Sequence, residues 1–285
     1  MTPLPDLMLE PLVRAALLED LGRAGDITTD AVVPAALVSR TVLRARDPGV
    51  LAGIDLARLA FTLVEPRLRF TTLIGDGSAL APGDLIARIE GPARGILMGE
   101  RVALNYLCHL SGIASATARL VQAVRHTRAR ISCTRKTTPG LRAVQKYAVR
   151  AGGGANHRFG LDDAVLIKDN HVAMAGGVMV AILRAREAVG HLVKIEVEVD
   201  TLEQLREALS VGADAYLLDN MTPPMLREAV AMIDGQGIAE ASGRITPQSV
   251  AAIAETGVDL ISAGWLTHSV TVLDIGLDTE VLGQG

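Results

Sequence analysis

The first half of the chain is predicted to begin with a helix and to continue as short strands. Apolar positions recur at helical spacing from Leu7 to Leu21, and Gly22 follows as a stop signal. Between Arg40 and Gly99 the apolar runs become short and are separated by turn pairs such as Pro48-Gly49, a pattern typical of strands joined by tight turns. Helical periodicity returns from Glu100 to Arg125, which predicts a helix that ends a first domain.

The second half alternates short apolar runs with segments of helix-forming composition. The runs begin at positions 131, 164, 193, 215, 238 and 260, a spacing that suits repeated βα units and a parallel sheet. This spacing does not separate an open sheet from a closed barrel. Polar residues or glycines end every run, and in a closed βα barrel those ends meet on the face where active sites lie. We therefore predict a barrel.

Composition narrows the class of protein. The 285 residues suffice for one large or two medium domains, and 49% of them are hydrophobic. Only three Phe, three Tyr and one Trp are present, so aliphatic side chains must fill the core, and binding of bases by stacking on aromatic rings is not expected. The formal charge of −4 argues against bulk binding to nucleic acid or to an acidic membrane.

The cysteines and the apolar stretches predict a soluble cytoplasmic protein. Cys108 and Cys133 have no metal-binding spacing, which argues against a zinc site or a disulfide framework and fits a reducing compartment. The acidic first twenty residues have the wrong sign for a signal or transit peptide. The longest apolar stretch, Val172 to Leu183, is too short to cross a bilayer.

Basic residues are concentrated between Arg125 and Lys168, where ten Lys or Arg stand against two acids. Several of them fit a solvated helix face. Others lie at strand ends or beside glycines, which favours an anion pocket because guanidinium groups bind carboxylates and phosphates bidentately. The Gly152–Arg158 loop could bring backbone N–H groups to an anion, or could be a flexible turn. The pocket candidates are Arg135, Lys136, His157, Arg158 and Lys168.

Two carboxylates and two late loops add further candidates. Glu198 and Asp219 lie on successive strands and could hold Mg²⁺ with a substrate pyrophosphate or stabilise a developing cation, unless Glu198 simply faces water. Residues 242–246 and 262–264 could bind a phosphate at helix N-termini, although helix capping would also explain their Ser and Thr. Lys168 could alternatively act as a Schiff-base nucleophile.

Long blocks in order through almost the whole chain resemble the quinolinate phosphoribosyltransferase family, also called carboxylating nicotinate-nucleotide pyrophosphorylases. The longest are Thr134–Arg142, Gly152–Arg158 and Asp163–His171, with Glu100–Asn105 and Glu240–Gly243 on either side. The resemblance implies an N-terminal α/β sandwich over residues 1–112 and an incomplete α/β barrel over residues 113–268. A tail, residues 269–285, is expected to pack back on the first domain.

The resemblance also implies an activity and an assembly. The reaction joins quinolinate to 5-phosphoribosyl 1-pyrophosphate, releases pyrophosphate and CO₂, and leaves nicotinate mononucleotide for NAD biosynthesis. The assembly is a homodimer with shared active sites, or a hexamer built from such dimers. Mg²⁺ is the expected cofactor, held by Glu198 and Asp219.

By the same resemblance the site residues take roles. Quinolinate is held by Arg101 of the partner subunit with Arg135, His157, Arg158 and Lys168, and phosphates by Lys136, Ser242, Gly243, Arg244, Ala263 and Gly264. Thr134 is expected to bind substrate as well. Lys136, Glu198 and Asp219 are expected to act in catalysis. Two positions depart from the family pattern, because Arg244 replaces a glycine of the phosphate loop and Cys133 replaces an aspartate.

Three other hypotheses remain. A paralogue associated with molybdenum transport shares the fold but lacks several of these blocks, whereas Asn156-His157-Arg158 is intact here. A lyase that forms a Schiff base on Lys168 would belong to another enzyme class. A non-catalytic anion-binding protein would make no nicotinate mononucleotide.

Overall fold

The computed structural model describes residues 2–279, which form two compact units. Unit 1 contains residues 2–118, 138–153 and 269–279, and unit 2 contains residues 119–137 and 154–268. Residues 280–285 of the predicted C-terminal tail lie outside the described residues. Within residues 2–279, no helix has both the length and the apolar character that crossing a bilayer requires.

Unit 1 combines an antiparallel sheet with helices. The strands are β1 (Val38–Ala45), β2 (Gly49–Val50), β3 (Arg69–Thr72), β4 (Ala79–Leu80), β5 (Leu85–Pro92) and β12 (Ile275–Thr279). The main sheet has the order β12-β1-β5-β3, and β2 pairs with β4 separately. Leu43 of β1 lies opposite Leu277 of β12 on one side and Ala87 of β5 on the other. The last strand among the described residues, β12, therefore completes a sheet that begins near residue 38.

The helices of unit 1 confirm part of the sequence prediction and correct another part. They are α1 (Asp6–Leu21), α2 (Ile27–Val32), α3 (Ile54–Val64), α5 (Arg142–Ala151) and most of α4 (Ala93–Val124). The predicted first helix is confirmed by α1, which ends at Gly22. The prediction of strands alone between residues 40 and 99 was wrong for α3, whose buried Leu56, Leu59 and Ala60 follow helical spacing.

Unit 2 contains one parallel sheet of six strands. They are β6 (Arg130–Ser132), β7 (Val165–Ile167), β8 (Ile195–Val199), β9 (Ala215–Asp219), β10 (Ile238–Ser242) and β11 (Leu260–Ser262). All six predicted runs are thus confirmed as strands. The order is β7-β8-β9-β10-β11-β6, and no ladder among the described residues joins β6 to β7. The sheet is therefore consistent with the predicted incomplete barrel.

The helices that follow the strands complete unit 2. They are α6 (Asp169–Ala175), α7 (Val178–Ala188), α8 (Leu202–Val211), α9 (Pro223–Ile233), α10 (Val250–Ala254) and a short 3₁₀ helix (Gly264–Thr267). Strand residues of one parity are fully buried, among them Val197, Val199 and Leu218. Residues of the other parity include the partly buried Glu196, Glu198 and Asp219 and the buried Glu240. The alternation therefore places polar side chains on one face of the sheet.

Candidate active site

A cavity of about 400 Å³ in unit 2 lies at the carboxyl ends of the strands. This is the end of a βα barrel at which active sites form. The sequence-predicted residues that line it are Thr134, Arg135, Lys136, His157, Arg158, Lys168, Glu198, Asp219 and Ser242. Leu166, Leu217, Glu240 and Ser262 complete the lining. The chain therefore brings most of the predicted site together from six separate βα segments.

Lys168 is positioned by the junction between β7 and α6. It directly follows the strand and precedes the first residue of the helix. Its backbone N–H donates a hydrogen bond to Nδ1 of His171 at 2.9 Å, which fixes the first turn. His171 thus supports the loop that carries Lys168.

An ion pair joins two of the predicted site residues. Nζ of Lys168 lies 2.7 Å from Oε2 of Glu198, the inward-facing residue near the end of β8. The Lys168 side chain is 47% exposed, whereas that of Glu198 is 12% exposed. The cavity therefore offers an ammonium group that a substrate anion can reach, with a carboxylate behind it.

Two arginines present unsatisfied donors beside the cavity. Nε of Arg135 and Nε of Arg158 are buried and have no hydrogen-bond partner among the described residues. Nη1 of Arg158 donates to the carbonyl oxygen of Ala164 at 3.0 Å, which fixes the orientation of its guanidinium group. Burial, followed by the charge of Arg135, lowers the pKa of Arg158. Because a buried unsatisfied donor costs about 1–3 kcal/mol, this pair is suited to binding an anion.

His157 makes its strong contacts below the cavity. Its Nδ1 accepts a hydrogen bond from the backbone N–H of Arg158 at 2.8 Å, and its Nε2 lies 2.9 Å from Oε2 of Glu196. His157 lines the cavity, but both ring nitrogens are engaged by the protein. Its predicted role as a cationic ligand of a substrate carboxylate stays a prediction.

Asp219 is held by the turn that follows β9. Nδ2 of Asn220 donates to Oδ2 of Asp219 at 2.6 Å, and the backbone N–H of Asn220 donates to the carbonyl oxygen of Ser242 at 3.0 Å. Asn220 has a φ of 53°, in the left-handed region that asparagine tolerates better than most residues. Gly243, with a φ of 90°, lies against it. Two neighbouring strand ends thereby fix the carboxylate.

The other predicted site residues do not line this cavity. Gly264 lies next to it, because a Cβ at Gly264 would be 2.9 Å from Cδ of Lys136. Gly243 and Ala263 lie in the loops that follow β10 and β11. Arg244 is exposed, with a left-handed φ of 50°. Arg101 is exposed on α4 within unit 1.

Sequence reasoning missed two acidic residues of the barrel interior. Glu240 lines the cavity beside Ser262, which begins the predicted 262–264 loop, and Glu196 bonds to His157 beneath the cavity. Glu196 is two residues before Glu198, so strand alternation places both on the same face. Glu240 interrupts an otherwise buried apolar run. A charged residue at such a position was the signal that could have identified it.

The carboxylates beside the cavity fit a divalent cation. Glu198 and Asp219 both offer hard oxygen ligands to the same space. Burial, and then the charges of Asp219 and Asp169, raise the pKa of the nearby Asp200. A cation bound at these strand ends would offset the mutual repulsion of the neighbouring carboxylates.

Both halves of the chain match models of one protein family. The model described as "Quinolinate phosphoribosyl transferase, C-terminal domain" matches residues 113–278, and the corresponding N-terminal domain matches residues 26–111. The chain belongs to the quinolinate phosphoribosyltransferase family. The expected resemblance is therefore confirmed.

Relatives and solved structures of this family cover nearly the whole chain. A probable carboxylating nicotinate-nucleotide pyrophosphorylase of Bacillus subtilis is 44% identical over 98% of this chain and 96% of that protein. The corresponding protein of Mycobacterium leprae is 48% identical over 93% and 95%. The structure of NadC from Streptococcus pyogenes has a TM-score of 0.94 and 40% identity, covering 98% of this chain and 100% of that one.

The Schiff-base hypothesis finds no support in the site. A lysine that forms a Schiff base is typically desolvated in an apolar pocket or placed beside another cation. Lys168 is instead about half exposed and paired with Glu198. The relatives named above are pyrophosphorylases of the carboxylating type, which also leaves the molybdenum-associated hypothesis without support.

The contact between Gly243 and Asn220 generates a first prediction. A Cβ at Gly243 would lie 2.3 Å from Oδ1 of Asn220, and the φ of 90° is itself unfavourable for alanine. We expect Gly243→Ala to lower the free energy of unfolding by about 3 kcal/mol in urea denaturation. Gly235→Ala is the control, because Gly235 has a φ of 74° but nothing near its Cβ. It should cost about 1 kcal/mol. Equal losses in the two variants would contradict the role of this contact.

Proposed function

We propose that the unit 2 cavity is the catalytic site of this chain. As a family member, the chain transfers the phosphoribosyl group of 5-phosphoribosyl 1-pyrophosphate to quinolinate with loss of CO₂, and forms nicotinate mononucleotide for NAD biosynthesis. Both substrates are polyanions. The observation that carries the proposal is a pair of arginines, each with a buried Nε that has no hydrogen-bond partner among the described residues, in one cavity with the carboxylates of Glu198 and Asp219.

Quinolinate is assigned to the cationic side of the cavity. Arg135 and Arg158 supply donors that the protein leaves unused, and Lys168 supplies an accessible ammonium group. Two carboxylates on one ring can engage these groups together. A pyridine with a single carboxylate would leave some of them unpaired, so the site should discriminate against nicotinate.

The phosphoribosyl donor is assigned to the carboxylates and to the later loops. Glu198 and Asp219 face the position at which the ribose becomes an oxocarbenium-like cation as pyrophosphate leaves. The pyridine nitrogen then forms the new bond to the ribose carbon. The ring, now cationic, accepts the electron pair as CO₂ departs from C2, and a proton replaces it there. The phosphate contacts are assigned to Thr134, Lys136, Ser242, Gly243, Arg244, Ala263 and Gly264.

Mg²⁺ is the proposed cofactor, and Glu198 and Asp219 are the residues that would hold it. When bound, it would neutralise charge on the pyrophosphate leaving group. The chain itself supplies the orientation of both carboxylates, through Lys168 on one side and Asn220 on the other. Neither step of the reaction requires a covalent bond to the protein.

The assembly and the compartment are also proposals. A homodimer, alone or within a hexamer, would bring Arg101 of the partner subunit to the quinolinate site. The position of Arg101 on an exposed face of α4 is compatible with such a role. Cys108 and Cys133 are not joined in a disulfide, which suits a reducing cytoplasm.

The activity has a direct test. Purified protein with quinolinate, 5-phosphoribosyl 1-pyrophosphate and Mg²⁺ should release ¹⁴CO₂ from carboxyl-labelled quinolinate and form nicotinate mononucleotide. Chelation of the metal with EDTA should stop the reaction, and added Mg²⁺ should restore it. Nicotinate in place of quinolinate should give at most about 1% of the mononucleotide, since the second carboxylate is missing. Equal turnover of nicotinate would overturn recognition of two carboxylates.

Two variants should affect substrate binding and catalysis separately. We expect Arg135→Ala to raise the KM for quinolinate by about 100-fold, because it removes a charged ligand of a carboxylate. Glu198→Ala should mainly lower kcat, since that carboxylate acts on the developing cation. Arg128→Ala, on the exposed surface of unit 2, is the control. Unchanged kinetics in both site variants would remove these residues from the site.

We expect Arg244 to lower the stability of the fold and to strengthen the binding of 5-phosphoribosyl 1-pyrophosphate. A side chain at a φ of 50° is strained, so Arg244→Gly should raise the free energy of unfolding by about 1 kcal/mol. Loss of the guanidinium group should raise the KM for 5-phosphoribosyl 1-pyrophosphate by about tenfold. Arg244→Lys keeps the charge and the strain, and should remain closer to the unaltered protein in both measurements. An unchanged KM in Arg244→Gly would exclude the phosphate contact.

A further inference from the structure

A second polar layer lies beneath the substrate cavity. Its members are His157, Glu196 and Glu240, whose nearest side-chain N and O atoms all lie within 4.8 Å of one another. Glu240 is 2% exposed, and the side chains of His157 and Glu196 are each 12% exposed. A second cavity, of about 330 Å³, lies at the amino ends of the strands and shares His157 and Glu240 with the first. The layer therefore forms the partition between two cavities.

The hydrogen bonds of His157 fix its protonation. The backbone N–H of Arg158 donates to Nδ1 at 2.8 Å, so Nδ1 must present a lone pair. The ring proton is then on Nε2, from where it is donated to Oε2 of Glu196 at 2.9 Å. His157 is therefore a neutral imidazole. Because Nε2 carries a proton, it has no lone pair for a metal ion, and we do not interpret this cluster as a cation site.

Only one ring proton is available to two carboxyl groups. Oε1 of Glu240 lies 3.8 Å from Nε2 of His157, beyond hydrogen-bond distance, and has no partner among the described residues. Ser262 provides a hydrogen bond to the Glu240 carboxyl group. Two carboxylates in one buried space repel each other unless one binds a proton. Burial, and then the charge of Glu196, raise the pKa of Glu240.

We propose that Glu240 is a neutral carboxylic acid which, with Glu196 and His157, acts as a positioning layer for anion binding in the cavity above. Glu196 orients His157 by accepting its ring proton in a hydrogen bond. The ring of His157 in turn holds the backbone N–H of Arg158, whose guanidinium group lines the cavity. The positioning residues Glu196 and Glu240 thus act on substrate binding through His157 and Arg158.

The charges around Glu240 explain why its neutrality matters. On the side of the substrate cavity, Arg135, Arg158 and Lys168 face the carboxylates of Glu198 and Asp219. On the opposite side, Lys194 is paired with Asp214 at 2.6 Å. A second buried anion at Glu240 would cancel part of the cationic field that attracts a dianionic substrate. This consequence for binding rests on the proposed function, whereas the protonation of the layer does not.

The pH dependence of stability tests the proton on Glu240. A carboxyl group with a raised pKa stabilises the fold at acid pH, and this stabilisation is lost as the pH rises above the ordinary glutamate value of 4.5. Glu240→Gln keeps a neutral side chain at every pH. Between about pH 5 and about pH 8, the Tm of the unaltered protein should fall by roughly 5 °C or more relative to Glu240→Gln. Glu187→Gln, an exposed acid on α7, should follow the unaltered protein.

Quinolinate affinity, measured by titration calorimetry with quinolinate alone, tests the effect on the site. We expect the Kd of the unaltered protein to rise by about tenfold more than that of Glu240→Gln across the same pH range. At the acid end the two proteins should bind with similar Kd. If the unaltered protein and Glu240→Gln showed the same pH dependence of Kd and the same pH dependence of Tm, the proposal would be overturned. If the Tm values of the two proteins diverged with pH but neither protein bound quinolinate, the protonation of Glu240 would stand. The proposed function would then be refuted.

The tautomer of His157 tests the layer without any substitution. ¹⁵N NMR of the unaltered protein, with His157→Gln used to assign the signal, should show a neutral ring protonated at Nε2 at neutral pH. A doubly protonated ring would mean that both carboxyl groups are charged. That result, or protonation at Nδ1 alone, would overturn the assignment.

Discussion

The two-residue period of parallel strands is the constraint on which the site depends. In the ladders of unit 2, Leu217 of β9 is paired with Glu198 of β8 on one side and with Glu240 of β10 on the other. One pleat earlier Ala215 is paired with Glu196, and one pleat later Asp219 is paired with Ser242. Inward side chains recur at every second residue, and the tilt of barrel strands staggers them between strands. Glu240 of β10 therefore approaches Glu196 of β8, two residues before the register neighbour Glu198.

The distribution of charge between these layers explains why the cavity can accept an anionic ligand. The upper layers contain both signs, and some basic donors remain unused, which leaves room for an anionic ligand. The lower layer contains the carboxyl groups of Glu196 and Glu240 with one neutral imidazole, and Glu240 in it is almost fully buried. Burying a second full charge there would be costly, so protonation is the cheaper solution. Carboxyl groups at the mouth of the barrel can therefore act as charged ligands, whereas one in the lower layer can act as a neutral hydrogen-bonding group.

The sequence predicted what depends on periodicity and on motif, and it failed where three-dimensional context decides. The strands of unit 2 were predictable because apolar runs of this length recur at βα spacing. The helix α3 was not, because Gly53 before it resembles the surrounding turns, although it adopts a left-handed φ of 104°. Convergence of Arg135, Lys168 and Glu198 followed from their positions at strand ends. The engagement of His157 with Glu196 did not, since it depends on the tilt and register of strands that are distant in sequence.

The pairing of β1 with β12 has a consequence for synthesis of the protein. Val42 and its neighbours pair on one side with β5, which leaves the ribosome soon afterwards, but on the other with residues 275–279. Until residues 275–279 emerge, a nascent chain exposes an open β edge that includes Val42 and Leu43. Such edges recruit strands from other molecules. Shielding by a chaperone until residues 275–279 are available would therefore favour a high yield of folded protein.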